Sequence, residues 1–233
     1  MEFANNEKEM ITTPQQLFDA FNTFIFSNDT KVFGKLIART MLFNQIKNVP
    51  GDIVECGVFK GSGLFSWIKL KKVLSPNSFK KVIGFDYFDT KSLVEGLTGI
   101  DKERMAALFE SRNFTLDVSY QDVLKEMFKD AGFQPGDYEL VQGDACVSTY
   151  DFVAKRPGCK ISLLYLDLDL DVPTYHALNA LWPRVSKGGI VVFDEYGYHQ
   201  WSEANGADKF AKENGLTIRP LDFMAPTAYI IKE

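Results

Sequence analysis

Five short apolar runs, DIVECG, KVIGFD, YELVQGD, ISLLYLD and GGIVVFDE, constrain this chain more than any other feature. They are separated or followed by segments with helical periodicity near residues 62–74, 119–132, 145–156, 174–186 and 202–214. Continuous apolar strands alternating with helices imply a parallel sheet covered on both faces. The tail, LTIRPLDF followed by TAYIIKE, predicts two more strands that close one edge as an antiparallel pair. The expected fold is therefore α/β, with a Rossmann-like, mostly parallel sheet of seven strands.

Residues 1–50 read as a helical extension and 51–233 as the sheet domain. Thr13-Pro14-Gln15-Gln16 has the pattern of an N-cap, a proline at the first helical position and a capping-box Gln. Leu17, Phe18, Phe21, Phe24 and Ile25 then recur at helical spacing, and a second helix starts near Asp29-Thr30 and runs towards Asn48. Residues 89–118 are polar, helical in composition and unnecessary for the sheet, which suits a lid inserted after the second strand. The abundance of Phe, 20 residues with many in the first third, suits an interface or a lid, and the aromatic-rich N-terminus suits a homodimer or larger homo-oligomer.

The net charge of -5 and the lack of a basic stripe argue against nucleic acid. MEFANNEKEM has neither the positive end nor the apolar centre of a signal peptide, and no window is apolar enough to span a membrane. Cys56, Cys146 and Cys159 form no CxxC and suit a reduced, cytoplasmic protein.

The predicted strands end in Glu55, Asp86, Asp144, Asp167 and Asp194-Glu195. Ligands of open parallel sheets bind outside the carboxyl ends of the strands, where strand order reverses. After the first strand, GVFKGSG leads into a helix through Gly57, Gly61 and Gly63; it is either a plain connection or a turn that admits a ligand to the backbone. Asp86 is placed to accept both ribose hydroxyls of a nucleoside, and Asp144 to lie beside the base. The GxGxxG spacing of a dinucleotide site is absent, which counts against a nicotinamide oxidoreductase. GxxxxGK[ST] is absent too, so the expected ligand has a nucleoside and little phosphate: S-adenosylmethionine. Its expected contacts are Glu55, Gly57, Phe59, Gly61, Ser62, Asp86, Tyr87, Asp144, Ala145 and Asp167.

GDIVECGVFKGSG, VIGFDYF, VQGDA, LYLDLDLDVPTYHAL and GGIVVFDEYG, in this order, resemble the macrocin O-methyltransferase (TylF/MycF) family of class I methyltransferases. Phe59 stands where the generic glycine motif has its middle glycine, a departure similar to the family's own version. The resemblance implies an S-adenosylmethionine-dependent, Mg²⁺-assisted O-methyltransferase acting on a hydroxyl of a sugar or glycosylated small metabolite, such as an antibiotic. By position it implies Asp167, Asp194 and Glu195 as metal ligands, with Glu195 replacing the family's commoner Asp. A cation that binds a hydroxyl directly lowers its pKa and fixes its orientation. His199 and Asp169 are the candidates for proton removal or acceptor orientation, with His176 behind them, whereas Asp171 suits a turn or a helix cap. N-methylation of an amino sugar, O-methylation of a catechol-type phenol and a non-catalytic S-adenosylmethionine-binding module remain open alternatives.

Overall fold

The computed structural model describes residues 13–112 and 119–233. The polar start, MEFANNEKEM, and residues 113–118 of the insertion lie outside the described residues. The apolar runs form β1 (Asp52–Cys56), β2 (Val82–Asp86), β3 (Tyr138–Gln142), β4 (Ile161–Leu166) and β5 (Val185–Phe193). Every residue of β4 is buried, as its unbroken apolar run requires of a strand covered on both faces. The tail adds β6 (Arg219–Pro220) and β7 (Ala228–Ile231), giving one sheet in the order β3-β2-β1-β4-β5-β7-β6. The first five strands run parallel, and β7 is antiparallel to both β5 and β6. The chain winds one way from β1 to β3 and the other way from β4 to β5, so the order reverses between β1 and β4.

One face of the sheet is covered by α2 (Thr30–Ile46), α3 (Ser62–Leu74) and α6 (Tyr120–Asp130), packed through Phe43, Trp67 and Phe128. The other carries α7 (Ala145–Lys155), α8 (Asp171–Leu181) and α9 (Glu203–Asn214), packed through Phe152, Leu178 and Phe210. The first helix, α1 (Pro14–Phe26), has the expected capping box, with Thr13 and Gln16 bonding each other's backbone. None of its residues is buried. The insertion folds into α4 (Thr90–Gly96), capped by the Asp89 carboxylate, and α5 (Gly99–Ser111).

Helix α8 departs from its expected span of 174–186. It starts at Asp171 because Pro173 falls in the first turn, where a missing N–H costs nothing. It stops at Leu181 because Pro183 follows in a single 3₁₀ turn, Trp182–Arg184.

The meeting of β1 and β4 sets the floor of the site. Gly57, just past β1, has φ +89, and a Cβ there would lie 1.8 Å from the Asp167 carbonyl oxygen. Its N–H donates to Phe85 O at 2.9 Å while Asp167 N–H donates to Cys56 O at 2.8 Å, so the ladder continues past the strands. Only glycine satisfies both the dihedral and the contact. Gly57→Ala is expected to lower stability by about 3 kcal/mol through strain and overlap; urea denaturation measures it, and an unchanged midpoint would contradict the close approach.

Candidate active site

The strand ends open into one cavity of about 1070 Å³. Its volume is at the upper end for ligand sites, room for a nucleoside-sized molecule and a second ligand together. The glycine turn supplies Gly57, Phe59 and Ser62, β2 supplies Asp86 and Tyr87, and β3 leads into Asp144 and Ala145. Asp167 and Asp169 line it from the end of β4, and Glu195 from beyond β5. Helices α4 and α5 form a further wall, through Leu93, Met105 and Phe109 among others. Met105 and Phe109 pack with Leu170 and Trp201 across the opening. Two polar straps hold this wall: Lys60 Nζ donates to Arg112 O at 2.7 Å, and Arg104 Nη1 to Gln200 O at 2.6 Å.

Not every expected residue reaches the cavity. Glu55 is 2 % exposed and turned beneath α3, where its Oε2 accepts the Trp67 indole N–H at 2.9 Å. A Cβ on Gly63 would lie 1.9 Å from its Oε1, so the glycine of the next turn makes room for the acid. Burial, opposed by Arg39, Lys35 and the indole, pushes the Glu55 carboxyl up to about 7. Gly61 also stays outside the lining, closed off by Leu124. Asp86 does line the cavity, but much of its carboxylate is spent on the chain itself. Oδ2 accepts the N–H groups of Val58 and Phe59 at 2.7 and 3.0 Å, and Oδ1 that of Phe88 at 2.9 Å. The Tyr87 N–H bonds it as well, so the carboxylate holds the glycine turn with its four acceptor positions largely taken. Asp144 caps α7 by accepting Cys146 N–H at 2.8 Å. Burial and then Asp144, which it hydrogen-bonds, push the Tyr87 phenol up to about 12.

His199 is exposed and outside the cavity lining. His176 lies on α8 with its ring edge-on to Tyr150 and Tyr175, also outside it. Asp169 is inside, held at φ +64, a left-handed conformation that Asp tolerates better than most residues. Its carbonyl oxygen accepts the N–H groups of Ser202 and Glu203 at 3.0 and 3.1 Å, fixing the turn. Burial, with Glu195 and Asp194 beside it, pushes the Asp169 carboxyl up to about 7. Asp171 bonds its own helix, Oδ1 accepting Val172 N–H at 2.6 Å.

Sequence reasoning missed the cations. Lys31, Lys35 and Arg39 lie four residues apart on α2 and face the strand ends. Lys31 meets Glu195 at 3.1 Å, Lys35 meets Asp194 at 2.7 Å and Asp167 at 3.7 Å, and Arg39 meets Glu55 at 3.9 Å. The signal was the i, i+4, i+8 spacing of three bases in TKVFGKLIAR. Burial works against the charge of Lys35, but Asp167 and Asp194 outweigh it and raise its pKa. Glu203 was missed as well: it is fully buried at the start of α9, and its Oε1 accepts Glu195 N–H at 3.1 Å. Burial, then Asp167, Asp169 and Asp194, push its carboxyl well above the usual range.

The acids implied as metal ligands offer only oxygen, which suits Mg²⁺ in kind. Their arrangement does not. Asp194 is fully buried, with Oδ1 accepting the Tyr165 hydroxyl and Oδ2 paired with Lys35, and it does not line the cavity. Glu195 is paired through Oε1 with Lys31. Among the described residues, no three acidic, histidine or cysteine side chains are grouped to hold an ion.

The same architecture recurs in known proteins. The chain is 30% identical over 157 residues to a demethyldecarbamoylnovobiocin O-methyltransferase of Streptomyces niveus, covering 64% of this chain and 54% of that protein. It is 30% identical over 154 residues to an 8-demethyl-8-(2,3-dimethoxy-alpha-L-rhamnosyl)-tetracenomycin-C 4'-O-methyltransferase of Streptomyces olivaceus, with the same coverage. The chain thus spans about half the length of the curated relatives it matches. Among solved structures, CalS11, a TDP-rhamnose 3'-O-methyltransferase of calicheamicin biosynthesis, superposes with a TM-score of 0.72 at 26% identity, over 96% of this chain and 88% of that one. The model of the macrocin-O-methyltransferase (TylF) family matches residues 37–228, from α2 into β7, and the chain belongs to that family.

Proposed function

We propose that the chain is an S-adenosylmethionine-dependent O-methyltransferase whose acceptor is a hydroxyl of a sugar or glycosylated small molecule. The observation that carries this reading is that the glycine turn, the Tyr87–Asp144 pair and the free carboxyl of Asp169 open into one cavity at the strand-order reversal. Family membership supports the methyl donor, and the rhamnose-bearing acceptors named for two of the relatives support the substrate class.

S-adenosylmethionine supplies an activated methyl group when bound. Gly57, Phe59 and Ser62, with Asp86, Tyr87, Asp144 and Ala145, are the residues of this chain that would hold it, and the acidic rim suits a sulfonium cation. The remaining tasks are to align the acceptor and take its proton. Asp169 takes the proton; it is held rigidly in the cavity, and its pKa near neutrality suits a general base. Helices α4 and α5 exclude water over the site. No step is assigned to a metal, because the acids that would hold one are engaged by Lys31, Lys35 and Tyr165. A non-catalytic binding module would share the cofactor grip but transfer nothing.

The apolar outer side of the first two helices, with Phe18, Phe21 and Phe26 between 57% and 81% exposed, is the surface through which copies of the chain associate.

Calorimetry with S-adenosylhomocysteine should give a roughly micromolar dissociation constant; no heat of binding would remove the cofactor and the reading with it. Asp169→Asn should lower kcat by about 10²–10⁴-fold with little change in S-adenosylhomocysteine affinity, and a fully active variant would take the proton acceptor elsewhere. Light scattering should show an oligomer that Phe18→Glu with Phe21→Glu reduces to a monomer; a monomeric parent protein would refute the association.

A further inference from the structure

The inner side of α2 matches the strand ends in spacing as well as charge. Its bases rise by about 6 Å per four-residue step, and neighbouring strands lie about 4.8 Å apart. A helix crossing them obliquely can therefore present its bases in turn to successive strand ends. Arg39 serves β1 through Glu55, Lys35 serves the ends of β4 and β5 through Asp167 and Asp194, and Lys31 serves Glu195 just beyond. Arg39, 5 % exposed, also stacks on Tyr165 and Trp67, with its guanidinium carbon 5.3 and 5.7 Å from the ring centres. The two outer pairs hold the register, and Lys35 is fixed between them.

Lys35 reaches the gap between two carboxylates on adjacent strands, 2.7 Å from one and 3.7 Å from the other. A divalent ion bridging the same acids would need that gap, since Mg²⁺ sits about 2.0–2.1 Å from each oxygen. The ammonium and the ion carry the same sign and compete for the same oxygens. We propose that Lys35 is the resident cation of the Asp167–Asp194 pair, and that it and a divalent metal ion are alternative occupants of one position. In this chain, α2 supplies as a tethered ammonium the positive charge that the strand-end acids require, and a metal ion enters only by displacing Lys35.

The position belongs to the site of the proposed methyl transfer, but its test needs no turnover, so failure of one leaves the other standing. Mn²⁺ alone is titrated into the full chain, without cofactor or acceptor, and free Mn²⁺ is read by electron paramagnetic resonance. The parent protein should leave Mn²⁺ free at concentrations where Lys35→Met binds it, with affinity raised at least about tenfold. Adding Asp167→Asn to Lys35→Met should abolish the gain. Lys31→Met removes the same charge without touching the Asp167–Asp194 pair and should gain less. Equal affinity in the parent and Lys35→Met overturns the proposal, as does an equal gain in Lys31→Met, which would mark a general charge effect. Circular dichroism checks that the variants fold. If Lys35→Met does not, the parent protein still decides: a micromolar Mn²⁺ site that Asp167→Asn removes overturns the proposal, and no binding supports it.

Discussion

Carboxylates placed at the ends of neighbouring parallel strands repel one another, and the rest of this site follows from how that repulsion is met. Two unit charges about 4 Å apart at an effective dielectric of 20 interact by about 4 kcal/mol. Asp167, Asp194, Glu195 and Glu55 crowd three adjacent strand ends, and three of them are buried. Part of the answer is an upward shift of the acids' own pKa values, as burial and the neighbouring aspartates impose on Glu203 beneath the rim. The larger part is positive charge brought by α2, a helix that precedes the sheet in sequence. A buried acid left without its cation costs more than the pair gains, so the acids add to the packing of Leu42, Phe43 and Ile46 in placing α2. The N-terminal helix is thereby a wall of the site.

The strands were legible because a parallel strand buried on both faces must be written as an unbroken apolar run, and five such runs are present. The reversal point, the glycine turn and the acids beyond it were legible for the same reason, since each is attached to a strand end. Less was visible wherever a side chain's direction depends on a distant partner. Glu55 turns away from the cavity because Trp67, Gly63 and Arg39 supply a bond, a space and a charge beneath α3. Asp86 had the expected position, but its carboxylate is largely taken by the backbone of the turn it was expected to serve. The α2 bases were written at helical spacing, yet polar faces of helices normally look to water. Here the polar face looks in, and Phe33, Ile37 and Met41 are exposed.

The three aspartates of LDLDLD show how a regular sequence can hide unequal roles. Strand alternation would put all three on one side. The alternation ends at Asp169, whose left-handed backbone turns the chain into α8. Asp167 faces the ammonium of Lys35, Asp169 faces the cavity, and Asp171 bonds the first turn of its own helix. One backbone dihedral separates an acid paired with Lys35 from one turned to the cavity, and nothing in the repeat itself announces it.

The inverted polarity of α2 also joins two features that would otherwise be separate. Lys35 and the exposed Leu36 and Ile37 beside it are carried on one turn of the same helix. Phe33, Ile37 and Met41 are exposed on the outer side of α2, while its inner side carries both the bases that meet the strand-end acids and the apolar Leu42, Phe43 and Ile46 that pack on the sheet. The open outer surface and the electrostatics of the site are carried by one helix because the sequence placed its bases on the inner side.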